Sequence, residues 1–209
     1  MHNVTKNNYY EKPKENCIMT PPGLAEYIHE RVRMSGIPIK TVLDPSVGTG
    51  NLLKPFLGCD LVGIDVIDYG WRDGRFILGD FLNQEKVPGV DIIVCNPPWN
   101  RSSISEIPGR PLIPELFARR VFDLYGNDMP LVLFAPVGFL FNQKIILKKQ
   151  RGSDRRRAFL CQYKDAKITL IMTPPLDTFP DVLMQFMVLV YNIPQPEAHS
   201  WVPDEYLRS

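Results

Sequence analysis

The sequence predicts an α/β fold in which an open, mostly parallel sheet of about seven strands includes an antiparallel strand near the C-terminus. Short apolar segments rich in β-branched residues recur along the chain, as is typical of parallel strands buried on both faces. Segments with helical periodicity lie between them, which favours crossover connections. Hydrophobic residues make up 44% and charged residues 22% of the 209 residues, an ordinary composition for a globular domain.

The predicted elements follow from local periodicity and from turn residues. A helix is expected to about Met34, with Thr20 as its N-cap and Pro21 at its start. Further helices are expected at residues 51–57 and 111–125. Strands are expected at residues 41–44, 61–66, 76–78, 91–95, 131–135, 168–172 and 184–191, with an antiparallel one among the last two.

The length fits one domain. Residues 1–16 are polar and predict an N-terminal arm, residues 17–209 predict a single domain, and the tail from Pro194 predicts a surface extension. No apolar segment approaches the roughly 20 residues of a membrane helix, and the N-terminus lacks an apolar signal region. We therefore expect a soluble, cytoplasmic protein.

Charge and cysteine content exclude several classes of protein. A net charge of +1 argues against a dedicated nucleic-acid coat protein, so any basic surface must be local. The four cysteines and three histidines are scattered, with no CxxC spacing. Neither a metal site nor a disulfide framework is expected, and a reducing compartment follows.

A glycine-rich segment, Asp44-Pro45-Ser46-Val47-Gly48-Thr49-Gly50, directly follows the first predicted strand. Ligands in open α/β sheets bind beyond the carboxyl ends of strands, and glycines allow the backbone to approach them closely. The segment is neither a phosphate loop nor GxGxxG, which argues against a nicotinamide dehydrogenase. A generic strand-to-helix turn is the alternative interpretation.

A carboxylate ends the second predicted strand, about 20 residues after the glycine-rich segment. Asp65 can accept hydrogen bonds from two ribose hydroxyls there. A nucleoside ligand is therefore implied, although the spacing does not identify it.

A rigid turn, Asn96-Pro97-Pro98-Trp99, follows the fourth predicted strand. The prolines restrict the backbone and hold Asn96 in an extended conformation. The Asn96 amide oxygen and the Pro97 carbonyl can both accept hydrogen bonds from an amine, and Trp99 offers a face on which a base can stack. The alternative is a structural turn with a partly buried tryptophan.

In this order, these segments resemble the Rossmann-like class I S-adenosylmethionine-dependent methyltransferases, and more narrowly the gamma-class adenine-N6 DNA methyltransferases of the Taq type. The resemblance implies S-adenosylmethionine as cofactor. It implies that cofactor-binding residues are Thr20, Pro21, Asp44, Pro45, Ser46, Gly48, Gly50, Asp65, Asp80, Phe81 and Asn96. It implies that the catalytic residues are Asn96, Pro97, Pro98 and Trp99.

Substrate contacts are expected from three segments. Thr178-Phe179-Pro180 resembles the family's motif VIII, in which an aromatic side chain packs on the flipped target base, so Phe179 is implied there. Residues 144–157 include seven basic residues and one acidic residue. Lys148, Lys149 and Arg151 are candidates for phosphate contacts, and so is Arg101 in the loop after the tetrapeptide. A solvated helix face and a plain surface loop are the alternatives.

The resemblance implies methylation of adenine in DNA, as in restriction-modification. The family usually carries a target-recognition domain of comparable size, for which residues 17–209 leave no room beyond the catalytic domain. A recognition subunit or a larger assembly is therefore expected as partner, besides nucleic acid. Methylation of RNA adenine, methylation of protein glutamine, and a non-catalytic cofactor-binding subunit remain alternatives.

Overall fold

The computed structural model describes residues 18–98, 112–141, 163–179 and 185–207. The strands are β1 Thr41–Asp44, β2 Asp60–Asp65, β3 Arg75–Leu78, β4 Ile92–Cys95, β5 Leu131–Pro136, β6 Ile168–Thr173, β7 Phe186–Tyr191 and β8 His199–Trp201. The α-helices are α1 Pro22–Met34, α2 Ile113–Tyr125 and α3 Gly138–Phe141. Among these described helices, none combines the length and apolar character needed to cross a bilayer.

The strands form one sheet in the order β3-β2-β1-β4-β5-β7-β6-β8. Strands β1 to β5 pair in parallel, whereas β7 runs antiparallel to both of its neighbours, β5 and β6. Strand β8 is parallel to β6. The predicted open α/β sheet with an antiparallel strand near the C-terminus is therefore confirmed.

Both faces of the sheet are buried. Successive side chains of a strand point to opposite faces: Val42 packs in the cluster that contains α1, and Leu43 packs in the cluster that contains α2. Helix α1 thus covers one face and α2 the other, which explains why the strands lack a polar side in the sequence.

The prediction of a surface extension after Pro194 is wrong in part, because this tail supplies the eighth strand. Val202 is buried, and the Ser200 hydroxyl is hydrogen-bonded to Tyr27 of α1. A three-residue strand is too short to produce a readable alternation of polar and apolar residues, so the sequence predicted about seven strands.

Two predicted helix features are also wrong. Residues 51–57 form a turn and a 3₁₀ helix, Lys54–Phe56, instead of an α-helix. Pro55 has no N–H to donate, and Gly58 follows within a turn, which disfavours continuation. At α1, Pro21 occupies the N-cap position without a side-chain cap, so Thr20 is not the cap.

Candidate active site

The glycine-rich segment, Asp65 and Asn96 lie at one edge of the sheet. Strands β1, β2 and β4 are neighbours and run parallel, with Asp44 opposite Gly63 and Leu43 opposite Ile93. The segments that follow these strands therefore emerge together, at the carboxyl edge where open α/β sheets bind ligands.

The glycine-rich segment is hydrogen-bonded directly to the acid that ends β2. Gly48, with φ of +51°, donates its N–H to Asp65 Oδ2 at 2.9 Å, and Asp65 Oδ1 accepts from Ile67 N at 3.1 Å. A carboxylate has about four acceptor positions, so Asp65 retains capacity for ligand hydroxyls. The predicted loop-and-acid pair is thus assembled in one place.

An indole supports this loop from the side of α1. A methyl group on Gly50 would lie 2.1 Å from Trp71 Cδ1, and one on Gly63 would lie 2.7 Å from Trp71 Cζ3 and 2.8 Å from Val47 Cγ2. The absence of a side chain at Gly50 therefore allows the indole to pack closely against the loop, and it also allows the backbone to turn there. This support was missed in the sequence, because nothing in the β2–β3 connection identifies Trp71 as buried.

Replacement of Trp71 by alanine is expected to lower the free energy of unfolding by about 3–5 kcal/mol, as for other buried aromatic residues. Trp71 is 4% exposed and contacts the base of the loop. Urea denaturation followed by circular dichroism measures the change. The matched control is Trp201→Ala, because Trp201 is 71% exposed and its loss should cost no more than about 0.5 kcal/mol. Equal effects of the two substitutions would contradict the placement of Trp71.

A second carboxyl group lies beneath the loop. Asp44 is buried, and its Oδ1 accepts from Ser46 N at 2.9 Å. The pKa of Asp44 is raised to about 7: burial is the largest cause, the hydrogen bond from the Ser46 N–H opposes it, and the charge of Asp65 adds to it. The cause is chiefly the loss of water around the charged form. Asp44 is therefore a group whose charge the environment disfavours.

The stability of the free protein should depend on the ionisation of Asp44. Because the pKa of the folded state exceeds the ordinary 3.8, the folded protein binds more protons than the unfolded chain up to about pH 7. This contribution stabilises the fold at low pH and is lost as pH rises. Asp44→Asn should therefore gain stability relative to the wild type between about pH 4 and 7, by at most about 1.4 kcal/mol per pH unit. Urea titrations at several pH values measure the difference, and a pH-independent difference would refute it.

Exposed apolar side chains line the edge beside Asp65. Val66 and Ile67, which directly follow β2, are 63% and 48% exposed, and Leu78, which ends β3 opposite Asp65, is 64% exposed. The backbone N–H of Gly79 donates to Asp65 O at 2.8 Å, which holds the ends of β2 and β3 together. An apolar surface next to a hydroxyl-binding acid suits the base of a nucleoside. These residues were missed, although apolar residues directly after a strand-ending acid are a usable signal.

The segment after β3 holds the next predicted pair. Asp80 Oδ1 accepts from Leu82 N at 2.9 Å and caps a short 3₁₀ helix, Phe81–Asn83. The Phe81 ring is buried against Phe117 of α2, with centroids 5.5 Å apart. Phe81 therefore contributes to the core, and its predicted contact with a cofactor remains a prediction.

Asn96 follows β4 and is fixed by the segment that precedes α1. Its Nδ2 donates to Ile18 O at 3.2 Å and to Thr20 Oγ1 at 3.1 Å. The amide nitrogen is thus held against the protein. The opposite end of the amide, Oδ1, is the acceptor that a substrate amine requires, and Pro97 supplies a carbonyl next to it.

Of the remaining predicted substrate residues, the structure describes only Phe179. Trp99, Arg101, Lys148, Lys149 and Arg151 lie outside the described residues. Phe179 is 3% exposed and packs on Phe186 of β7, with ring centroids 4.8 Å apart. Stacking of a base on Phe179 therefore requires a rearrangement of this region, and the contact remains a prediction.

Comparison with known proteins shows similarity in structure and none in sequence. No family model and no curated protein sequence matches the chain. A protein from Listeria monocytogenes assigned to the class I S-adenosylmethionine-dependent methyltransferases matches with a TM-score of 0.65 and 16% identity, over 92% of this chain and 68% of that one.

Two further solved structures come from type I restriction systems. A modification subunit from Vibrio vulnificus matches with a TM-score of 0.58 and 17% identity, over 95% of this chain. A methyltransferase subunit from Streptococcus thermophilus matches with a TM-score of 0.55 and 16% identity, over 88% of this chain. The chain spans 49% and 46% of these two proteins, respectively. The chain therefore has the fold of the class I S-adenosylmethionine-dependent methyltransferases.

Proposed function

We propose that this protein transfers a methyl group from S-adenosylmethionine to the exocyclic amine of adenine in DNA. The observation that carries the proposal is the position of Asn96. Its amide nitrogen is hydrogen-bonded to the protein, at the same sheet edge as the paired Gly48 and Asp65. The amide oxygen of Asn96, a hydrogen-bond acceptor for an amine, thus lies at the edge of the sheet where we place the nucleoside.

The residues at this edge fit the cofactor. Asp65 retains acceptor capacity for ribose hydroxyls, and Val66 and Leu78 offer apolar contact to an adenine ring. The positive φ of Gly48 lets the loop backbone turn close to a ligand. When bound, S-adenosylmethionine supplies an electrophilic methyl group on its sulfonium.

Asn96 and Pro97 orient the target amine. Both offer oxygen acceptors, and two acceptors fix the direction of the two N–H bonds and therefore of the nitrogen lone pair. The same oxygens stabilise the positive charge that develops on the nitrogen as its bond to the methyl carbon forms. The carbon–sulfur bond of the sulfonium would break in this step, S-adenosylhomocysteine would leave, and the methylated nitrogen would then lose one proton to water. Pro98 keeps the turn rigid, and Trp99 would stack on the base. No strong base is needed for the attack itself.

DNA is favoured as the acceptor by two observations. Two of the similar structures are subunits of type I restriction systems. The cations between residues 144 and 157 suit a phosphate backbone. Because the adenine amine is paired in a duplex, the base must be flipped out of the helix. A partner subunit or a larger assembly would supply target recognition.

The test is methyl transfer from labelled S-adenosylmethionine to unmodified DNA, RNA and protein, assayed side by side. Digestion of the labelled polymer and chromatography of its nucleosides and amino acids identify the methylated group. N6-methyladenine from DNA is the expected product. Label in RNA adenine or in glutamine would show that RNA or protein is the substrate instead of DNA. Label in cytosine would contradict the adenine assignment. Binding of the cofactor without transfer to any acceptor would favour a non-catalytic subunit.

A further inference from the structure

Thr20 is hydrogen-bonded to both halves of the candidate site. Its hydroxyl Oγ1 accepts from Asn96 Nδ2 at 3.1 Å, and its carbonyl oxygen accepts from Asn51 Nδ2 at 3.0 Å. Thr20 is buried, and it lies 76 residues from Asn96 and 31 residues from Asn51 along the chain. Thr20, which precedes α1, therefore connects the end of the glycine-rich segment to the turn after β4.

The Asn96 contacts determine which end of its amide faces a substrate. The two ends of an asparagine amide are nearly the same in shape, so hydrogen-bond partners decide their orientation. The carbonyl of Ile18 can only accept a hydrogen bond, and it lies 3.2 Å from Asn96 Nδ2. A flipped amide would place two acceptors against each other. Ile18 and Thr20, which together we call the strap, thus hold Nδ2 and leave Oδ1 as the end of the amide that does not face them.

Asn51 connects the same strap to the glycine-rich loop. It directly follows Gly50, whose carbonyl oxygen accepts from Leu53 N and Lys54 N at 3.0 Å each. Asn51 therefore lies within the hydrogen-bonded turn that closes the loop, and its side chain bonds this turn to the backbone of Thr20. The Thr20 hydroxyl continues this chain of hydrogen bonds to Asn96.

We propose that Thr20 and Asn51 are positioning residues that couple occupation of the glycine-rich loop to the orientation of the Asn96 amide. This inference rests on the proposed function, because it assigns roles to two residues around the same site. Thr20 acts through Asn96, and Asn51 acts through Thr20. Because coupling between two binding sites is reciprocal, a ligand in the loop tightens binding of the amine-bearing substrate by the same factor as the substrate tightens binding of the ligand.

The first test compares Thr20→Val with Thr20→Ser in methyl transfer. Valine keeps the shape of threonine and removes the hydroxyl, whereas serine restores the acceptor. We expect kcat at saturating S-adenosylmethionine to fall about tenfold or more in Thr20→Val and to recover in Thr20→Ser. Wild-type kcat in Thr20→Val, or no recovery in Thr20→Ser, would overturn the role of the hydroxyl.

The second test measures the coupling itself. Affinity of an adenine-containing duplex is determined with and without saturating S-adenosylhomocysteine. We expect the wild type to bind the duplex about fivefold or more tightly with the cofactor product present. In Asn51→Ala this ratio should approach one. The matched control is Asn127→Ala, at the start of the segment that leads into β5, where the ratio should equal that of the wild type. An unchanged ratio in Asn51→Ala would overturn the coupling.

A third measurement needs no substrate and separates this inference from the proposed function. The side-chain amide signals of Asn96 are assigned by NMR from their absence in Asn96→Ala. Hydrogen exchange of these amide protons should be slow in the wild type and in Thr20→Ser, and faster in Thr20→Val. Equal exchange rates in all three proteins would exclude a role for the Thr20 hydroxyl in holding the Asn96 amide, even if the enzyme is active. Slow exchange in a wild type that methylates nothing would leave the strap intact and refute the proposed function.

Discussion

Replacement of Asn96 by alanine is expected to lower the rate of methyl transfer by about two to three orders of magnitude. The size is that of removing one preorganised group that stabilises developing charge. In the described structure, Asn96 Nδ2 donates to the strap formed by Ile18 and Thr20. The substitution therefore removes from the substrate the hydrogen-bond acceptor that the amide oxygen would supply. Affinity for S-adenosylmethionine should change much less than kcat, as calorimetry and steady-state kinetics would show.

Asn127→Ala is the matched control, since Asn127 lies in the turn before β5 at the opposite edge of the sheet. It should retain wild-type kcat and KM. A small loss of activity in Asn96→Ala, similar to that of Asn127→Ala, would show that the amine is held by other groups.

Replacement of Asp65 by alanine is expected to weaken cofactor binding by about a hundredfold or more. Each hydrogen bond to a charged group contributes about 1.5–3 kcal/mol, and the carboxylate offers positions for two ribose hydroxyls. The substitution also removes the acceptor of the Gly48 N–H, which loosens the loop. Calorimetric titration with S-adenosylhomocysteine measures the change.

Asp60→Ala provides the control on the same strand. Asp60 begins β2 and is exposed, whereas Asp65 ends it, so the control carboxylate lies at the opposite end of the same strand. Its affinity for S-adenosylhomocysteine should equal that of the wild type. If both variants bind equally well, the ligand does not contact the carboxyl end of β2.

The open α/β sheet and the clustering of the glycine-rich segment, Asp65 and Asn96 at one end of it could be predicted because both depend on local patterns. A buried parallel strand is an apolar segment, and a ligand loop after it is marked by its glycines. An antiparallel strand among the last two predicted strands followed from this scheme, whereas its identity as β7 and the hydrogen bond from Gly48 to Asp65 came only from the structure. Strand β8 did not, because three residues carry too little pattern.

The supports of the site could not be predicted because they are contacts between distant residues. Trp71 is buried because it fits against Gly50 and Gly63, which lie on other segments. Thr20 has the side chain of a helix cap, yet its hydroxyl accepts from Asn96. Local preference was overridden by a tertiary hydrogen bond in this case.

Transfer of radiolabelled methyl from S-adenosylmethionine to unmodified duplex DNA tests the proposed activity of the site. Wild type, Asn96→Ala and Asp65→Ala are compared at a cofactor concentration that saturates the wild type. We predict label in DNA adenine with the wild type, and loss of label in both variants while Asn96→Ala still binds the cofactor. Equal labelling by Asn96→Ala would exclude the proposed role of Asn96, and no labelling by a wild type that binds the cofactor would exclude the proposed activity on DNA.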